Sequence, residues 1–286
     1  ADWIVELENI SKSFGGVRAL DGVTFRCRVG EVHTVVGQNG AGKSTLMKVL
    51  AGVYPPDSGR MLFDGRPVQF ASPHEAQAAG VSIIYQEFNL IPGLSVAANV
   101  FLGREPRHTL GILDSAELNR KAVEVLQRLG VDIDPRVRVS DLSLARQQMV
   151  EIAKALSLNA RVVIMDEPSA TLGTRELDHL FEVIAALKKQ NVAVIYISHR
   201  LEEVFKVADQ VTVLRDGKLV DTLPIGEVDR TRLVQLMIGS SSFMEQFPPR
   251  ARPETIGGAV LRVENLSSLP VLHDINLSVR SGEIVG

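Results

Sequence analysis

The sequence predicts an α/β fold: a mainly parallel core sheet covered by helices on both faces. Three observations predict it. Residues 37–45 read GQNGAGKST, a glycine-rich loop set between an apolar run and a helix-like run. Short apolar runs alternate with amphipathic ones along most of the chain, the pattern of parallel strands joined by crossover helices. The run RVVIM at 161–165 ends in two carboxylates, Asp166 and Glu167, where open α/β sheets place ligand-facing groups.

Composition sets the bounds. The chain has 286 residues, 45% of them hydrophobic, enough core for one large domain or two modest ones without covalent staples. Its net charge is -3, with 31 basic and 34 acidic residues interspersed and no Lys/Arg run, which argues against nucleic acid as a partner. Cys27 is the one cysteine. It therefore forms no internal disulfide, suggests no Cys/His metal cage, and reads as a small core residue. No apolar stretch reaches the ~18 residues needed to span a bilayer, and no signal peptide opens the chain, so a cytoplasmic protein is expected.

The elements follow in order. Residues 2–10 and 22–29 alternate like half-buried strands. Residues 32–36 form a short apolar strand, and 43–51 the helix that leaves the glycine loop. The turn YPPDSG at 54–59 leads to a strand at 60–63, closed by the tight turn Asp64-Gly65. Ser72, Pro73 and Glu75 read as a helix start: N-cap, first helical residue and closing member of a capping box. Residues 81–85 form a buried strand. A helix over 114–129 carries Asp114 and Glu117 as its capping pair. A helix at 147–156 and a strand at 161–165 follow, then an amphipathic helix at 174–189, a strand at 192–197 and a helix at 202–208. A hairpin over 211–220 turns at Asp216-Gly217.

Composition shifts near Gly239. Residues 240–258 carry serines, Pro248, Pro249 and Pro253 with no periodic apolar pattern, and read as a linker. Beyond it, LRVENLS at 261–267 matches VELENIS at 5–11, and LHDINLSVRSGEI at 272–284 matches LDGVTFRCRVGEV at 20–32. This ordered double match is an internal repeat. We expect a first domain over 1–239, a linker over 240–258, and over 259–286 the truncated start of a second domain of the same kind.

The loop follows the pattern G-x-x-x-x-G-K-[ST], filled by Gly37, Gly42, Lys43 and Ser44. Between them Gln38, Asn39, Gly40 and Ala41 offer backbone N–H groups that curl around a phosphate, helped by the missing Cβ atoms. Lys43 is expected to reach the β- and γ-phosphates, and the Ser44 hydroxyl to sit on Mg²⁺. Ser44 and Thr45 also open a helix whose N-terminus adds its partial positive charge. Asp166 is expected to hold Mg²⁺, directly or through water, and Glu167 to polarise an attacking water. His199, in YISHR, follows another strand and is placed to contact the γ-phosphate or to orient the acidic pair. Gln86 ends the strand at 81–85, and its amide can bind both Mg²⁺ and water, which suits a γ-phosphate sensor. The other histidines, His33, His74, His108, His179 and His273, show no ligand spacing and read as structural or exposed.

Together these residues resemble the ATP-binding-cassette ATPases, over residues 5–239. The resemblance implies a P-loop ATP-binding-cassette fold with a mainly parallel core sheet, an N-terminal antiparallel β region and an inserted helical subdomain at about 87–158. It implies that Phe14 stacks on adenine, and that DLSLARQQ at 141–148 is the signature loop, with Ser143 able to bond a γ-phosphate. The runs VGQNGAGKSTLMKVLAGVY, IIYQEFNLIPGLSVAANVFLGRE, LARQQMVEIAKALS and VIYISHRLEEVF look like the tandem ATPase subunits of bacterial monosaccharide importers of the ribose, xylose and galactose type. That likeness implies ATP and Mg²⁺ as cofactors and ATP hydrolysis coupled to sugar import. The partners it implies are a second nucleotide-binding domain, membrane permease subunits and, indirectly, a periplasmic or extracellular sugar-binding protein. The implied location is the inner face of the cell membrane, as a peripheral subunit.

Two departures stand out. The usual signature is LSGGQ, and here Leu144 and Ala145 replace both glycines, so close backbone approach to a phosphate is harder. Gly173 stands where many relatives carry Asp. Both bear on the site shared between this signature loop and the second domain, and neither touches the Gly37 loop. The polar-poor run at 88–102 suits docking to a permease loop if exposed, and core of the helical region if buried. The alternative function is a soluble tandem ATPase acting on ribosomes or nucleic acid. Its relatives carry a long charged helical linker, unlike residues 240–258. A kinase would need an acceptor pocket and a lid, and the sequence offers neither.

Overall fold

The alternation at the N-terminus folds into one long hairpin. β1 (Trp3–Phe14) pairs antiparallel with β2 (Val17–Arg28) around Gly15-Gly16. The strands run past the expected ends at Ile10 and Gly22. There the ladder continues between exposed residues, such as Ser13 with Arg18, so no burial pattern marks it. β4 (Ser58–Phe63) pairs with β1, and β5 (Arg66–Val68) with β4, giving an antiparallel sheet of order β2-β1-β4-β5.

In this computed structural model residues 3–85, 88–108, 111–169, 172–239, 257–268, 272–283 and 285 are described. The chain divides into two units, Ala1–Gly239 and Ser240–Gly286. The core sheet of the first unit has the order β10-β9-β3-β8-β7-β6. β3 (Val32–Val36), β6 (Val81–Ile84), β7 (Val162–Asp166), β8 (Ala193–Ile197) and β9 (Gln210–Arg215) run parallel. β10 (Lys218–Pro224) returns antiparallel at one edge. Successive side chains feed opposite cores. Ile195 and Ile197 pack with the antiparallel sheet and the first helix, whereas Val194 and Tyr196 pack with the helical region. Both faces are thus covered, as a near-continuous apolar strand requires.

Eight helices complete the described part of this unit. α1 (Lys43–Leu50) leaves the glycine loop, and α2 (Pro73–Ala79) precedes β6. α3 (Val96–Val100), α4 (Ser115–Arg128) and α5 (Leu144–Ser157) are inserted between β6 and β7. α6 (Thr174–Lys189), α7 (Leu201–Val207) and α8 (Arg230–Ile238) follow. The Ser72 hydroxyl accepts from Glu75 N, but the Glu75 carboxylate takes the N–H of Ala71, one residue before the expected box partner. Likewise Asp114 caps α4, while Glu117 turns to Arg120. α5 starts three residues earlier than its periodic pattern, because Ser143 caps it. Among the described residues no helix is long and apolar enough to cross a membrane.

The second unit contains the hairpin β11 (Ala259–Ser268) and β12 (Leu272–Arg280). It repeats β1 and β2 bond for bond. Asn9 and Asn265 are both left-handed, with φ 51 and 49. Ser11 Oγ accepts the N–H of Gly22 at 3.0 Å, and Ser267 Oγ that of Asp274 at 2.9 Å. Leu7 pairs with Phe25, and Val263 with Leu277.

Candidate active site

The glycine loop is held by close backbone approach. A Cβ on Gly37 would lie 2.2 Å from the Leu214 carbonyl, and one on Gly42 2.7 Å from that of Ala19. Gly42 also sits at φ 99, a left-handed conformation that favours glycine. Ala41 N–H closes the turn onto Gln38 O at 3.1 Å, and the Ala41 carbonyl accepts from Gly217 N at 3.2 Å. Gln38, Asn39 and Gly40 face solvent, while Thr45 is half-buried. Helix geometry leaves the first N–H groups of α1 without intrahelical acceptors, so they are available to an anion.

Lys43 opens α1 with its side chain turned into the loop. Its Nζ donates to Gly37 O at 2.8 Å and Gln38 O at 3.0 Å. Burial lowers its pKa, and the nearby charges of Glu167 and Asp166 work against that. The ammonium is thus held inside the turn of the glycine loop, against its own carbonyls.

β7 delivers the acidic pair at its C-terminal end. The Ser44 hydroxyl donates to Asp166 Oδ1 at 3.4 Å. Burial raises the Asp166 pKa; the Ser44 bond opposes this and the Glu167 charge adds to it. Two hard oxygen donors side by side suit Mg²⁺, so Ser44 and Asp166 fit as its ligands. Glu167 turns out of the strand at φ 49. That conformation costs about 1–2 kcal/mol in a residue with a Cβ. Its N–H is held by Ile197 O at 3.1 Å, which ties the end of β7 to the end of β8. Two residues beyond Ile197, His199 Nδ1 lies 3.2 Å from Glu167 Oε1. Lys43, Ser44, Asp166, Glu167 and His199 therefore converge from three neighbouring strand ends.

The remaining expected residues are dispersed around this cluster. Gln86 lies outside the described residues. Ile84 pairs with Met165, which brings the end of β6 beside the end of β7, and its neighbour Tyr85 has its phenol pushed up by burial and by the charge of Asp166. Phe14 is 41% exposed at the hairpin tip, edge-on to Tyr54 at 5.0 Å, with Lys12 Nζ 5.6 Å from its ring centre. An exposed ring of that kind offers a face for stacking. Ser143 is exposed at the N-terminus of α5, where its hydroxyl accepts from Arg146 N at 3.5 Å.

Two buried polar groups were invisible to motif reading. His33 is not isolated: Glu31 Oε1 and Thr212 Oγ1 each lie 2.7 Å from one of its ring nitrogens. Cys27, Glu31 and His33 are all buried with candidate ligand atoms within 4.8 Å, but both imidazole nitrogens already have protein partners. Glu203, on α7, accepts three hydroxyl hydrogen bonds behind His199. Only its place one turn before Val207 on a helix face hinted at burial.

The family description "ABC transporter" matches residues 20–170, more than half of the chain. The ribose import ATP-binding protein RbsA 1 of Rubrobacter xylanophilus is 53% identical over 283 residues, 99% of this chain and 56% of that protein. A protein of the same name from Streptomyces avermitilis is 50% identical, over 100% of this chain and 54% of its own length. A putative ribose/galactose/methyl galactoside import ATP-binding protein of Burkholderia cenocepacia is 48% identical, over 99% and 55%. The chain thus spans about half the length of these curated relatives. Among solved structures, a nucleotide-free ATP-binding cassette from an ABC transporter matches with TM-score 0.73 and 28% identity, over 83% of this chain and all of that one. The cbiO1 cassette of Clostridium perfringens, described as part of an ABC transporter complex, gives TM-score 0.71 and 25% identity, over 86% of this chain and 100% of its own.

Proposed function

Because this chain belongs to the ABC transporter family, we propose that it binds and hydrolyses ATP to drive a monosaccharide through a membrane permease. The observation that carries the reading is that neighbouring strand ends bring Lys43 and Ser44, Asp166 and Glu167, and His199 together, with Ser44 bonded to Asp166 and His199 to Glu167. The relatives' names, which specify ribose or galactose import, support the sugar.

Each residue has a task in this reading. The loop N–H groups from Gly37 to Thr45 bind the phosphates. Lys43 Nζ exchanges its two carbonyl partners for phosphate oxygens, a change to stronger charge-assisted bonds. Ser44 and Asp166 hold Mg²⁺, with Gln86 as a third ligand. When bound, Mg²⁺ neutralises charge on the phosphates. Glu167 accepts the proton of the attacking water, and His199 steadies the Glu167 carboxyl through Nδ1. Phe14 stacks on the adenine. Ser143, at a helix N-terminus, serves the γ-phosphate of a second nucleotide-binding domain rather than its own.

The partner domain has its own support. Strands Ala259–Ser268 and Leu272–Arg280 repeat the register of the first domain's opening hairpin, so we read 259–286 as the start of a second nucleotide-binding domain after a linker over 240–258. The first domain then spans 1–239, with its helical subdomain at about 87–158. The loss of both signature glycines, together with Gly173, makes the two sites unequal, the Gly37 site being the competent one. Permease docking falls on the run at 88–102, which is neither all core nor all surface. Leu90 is buried, Leu94 half-buried and Ile91 44% exposed. A groove of about 250 Å³ beside it is lined by Gln77, Ser82, Tyr85, Asn89, Glu151 and Lys154. The protein then works as a peripheral subunit on the cytoplasmic face, served indirectly by a sugar-binding protein outside. No observation favours the ribosome or nucleic-acid alternative.

The test combines turnover with uptake. In the full-length protein, Glu167→Gln should retain ATP and stop Mg²⁺-dependent hydrolysis. Near-normal hydrolysis in that variant would remove Glu167 from the mechanism. Cells lacking the protein should lose uptake of labelled ribose, xylose or galactose, and unchanged uptake of all three would sink the sugar assignment.

A further inference from the structure

Glu203 is a carboxylate at the heart of the first unit, 3% exposed, and the mechanism above leaves it without a task. One of its oxygens, Oε2, accepts from three hydroxyls at 2.8 Å each: Ser169, Tyr196 and Ser198. These donors are not a random set. Ser169 stands two residues after Glu167, on the loop leaving β7. Ser198 stands one residue before His199, on the loop leaving β8. Ser198 Oγ also accepts from Arg200 N at 3.0 Å, so its hydroxyl bridges the backbone on either side of His199. The other oxygen, Oε1, has no hydrogen-bond partner among the described residues, and Arg200 Nη1 lies 3.5 Å away as a charge partner. An acceptor-only group buried this deeply is costly unless it receives its donors, so the three hydroxyls and the carboxylate hold one another in place.

We propose that Glu203 is a positioning residue that sets the separation of Glu167 and His199 by clamping Ser169 and Ser198 on one oxygen. This rests on the ATPase reading, in which Glu167 and His199 act together. The clamp reaches both residues through their neighbours in the chain, Ser169 and Ser198. Among the described residues Glu203 makes no hydrogen bond or ion pair to either, yet it holds the loops from which each projects. Tyr196 is the third donor, but it lies within β8, where strand pairing already holds the backbone. It steadies the carboxylate without extending to the catalytic pair.

That difference makes the proposal testable in the full-length protein. The His199 imidazole resonance, assigned through His199→Gln, should shift in Glu203→Gln and in Ser198→Ala, and stay near its wild-type position in Tyr196→Phe. Turnover should follow: kcat falls about tenfold in Glu203→Gln and Ser198→Ala while the ATP KM stays within about twofold. Tyr196→Phe should lose less. A general loss of core stability would instead make kcat fall in step with the thermal stability of each variant, in Tyr196→Phe as in Ser198→Ala, which also releases the Arg200 N–H. If Glu203→Gln does not fold, the comparison of Ser198→Ala with Tyr196→Phe carries the decision. An unmoved His199 resonance in Ser198→Ala, or equal shifts in both hydroxyl variants, overturns the proposal. Absence of wild-type turnover would count against the ATPase reading itself and leave the resonance comparison intact.

Discussion

At the scale of single residues, Lys43 shows how the site is preorganised. Its ammonium is already turned into the glycine loop, bound to Gly37 O and Gln38 O at 2.8 and 3.0 Å. Lys43→Ala should therefore keep the loop and weaken ATP binding by about 1.5–3 kcal/mol, the range of a charged hydrogen bond, as titration with a fluorescent ATP analogue would read. Asp166 carries a pH dependence. Burial raises its carboxyl pKa, so the folded state disfavours the charge. Its contribution to folding is complete below the ordinary Asp range and is lost as pH rises through the raised value. Metal binding needs the opposite form. Mg²⁺-dependent ATP affinity should therefore begin to fail, on acidification, at a higher pH than an ordinary aspartate would give. Asp166→Asn should remove that dependence along with the Mg²⁺ requirement, while making the nucleotide-free protein more heat-stable at neutral pH. A less stable Asp166→Asn protein would show that the buried charge is not a cost. These residues were legible because one short motif and one strand end fix their chemistry locally. Glu203 was not, since its partners lie on two other loops and on β8.

At the scale of elements, a buried amide helps to hold the described part of the loop between β6 and α3, beside bonds to Glu151, Lys154, Val139 and Ser140. Asn99 Oδ1 accepts from Ile91 N at 2.7 Å, and its Nδ2 donates to Ile91 O at 3.0 Å and Ser95 O at 3.1 Å. That amide turns Ile91 outward while Leu90 goes to the core. Asn99→Ala leaves the Ile91 N–H without its acceptor, a loss of about 1–3 kcal/mol. Hydrogen exchange over 88–95 should rise, and coupling to a permease should weaken, with ATP binding by the separate subunit unchanged. Protection that stays at the wild-type level would assign the loop's order to packing instead. Element type was readable from periodicity in the longer elements, down to the bounds of α6, whereas the short β5 and α3, and α8, carried no expectation. Element ends were read less well. The tip of the β1–β2 hairpin has no buried face to set an alternation, and α5 starts at a serine cap rather than at an apolar residue.

At the scale of the whole molecule, the two units give one complete glycine loop and one hairpin that repeats its surroundings. Ser143 stands exposed at the head of α5, joined to the cluster by none of its hydrogen bonds. With a signature supplied only in trans, the chain of residues 1–286 should bind ATP but hydrolyse it slowly, at a rate per molecule that rises with protein concentration. Robust, concentration-independent turnover would contradict the need for a partner. The sequence by itself determined the phosphate loop, the acidic pair, the repeat and the family, because each is written in contiguous residues whose spacing carries the chemistry. Only the tertiary structure decided that His199 meets Glu167 and that Glu203 gathers Ser169, Tyr196 and Ser198 behind them. The reason is physical. Parallel strands joined by crossovers bring to one edge residues that are remote in the chain, and strand order has no local signature.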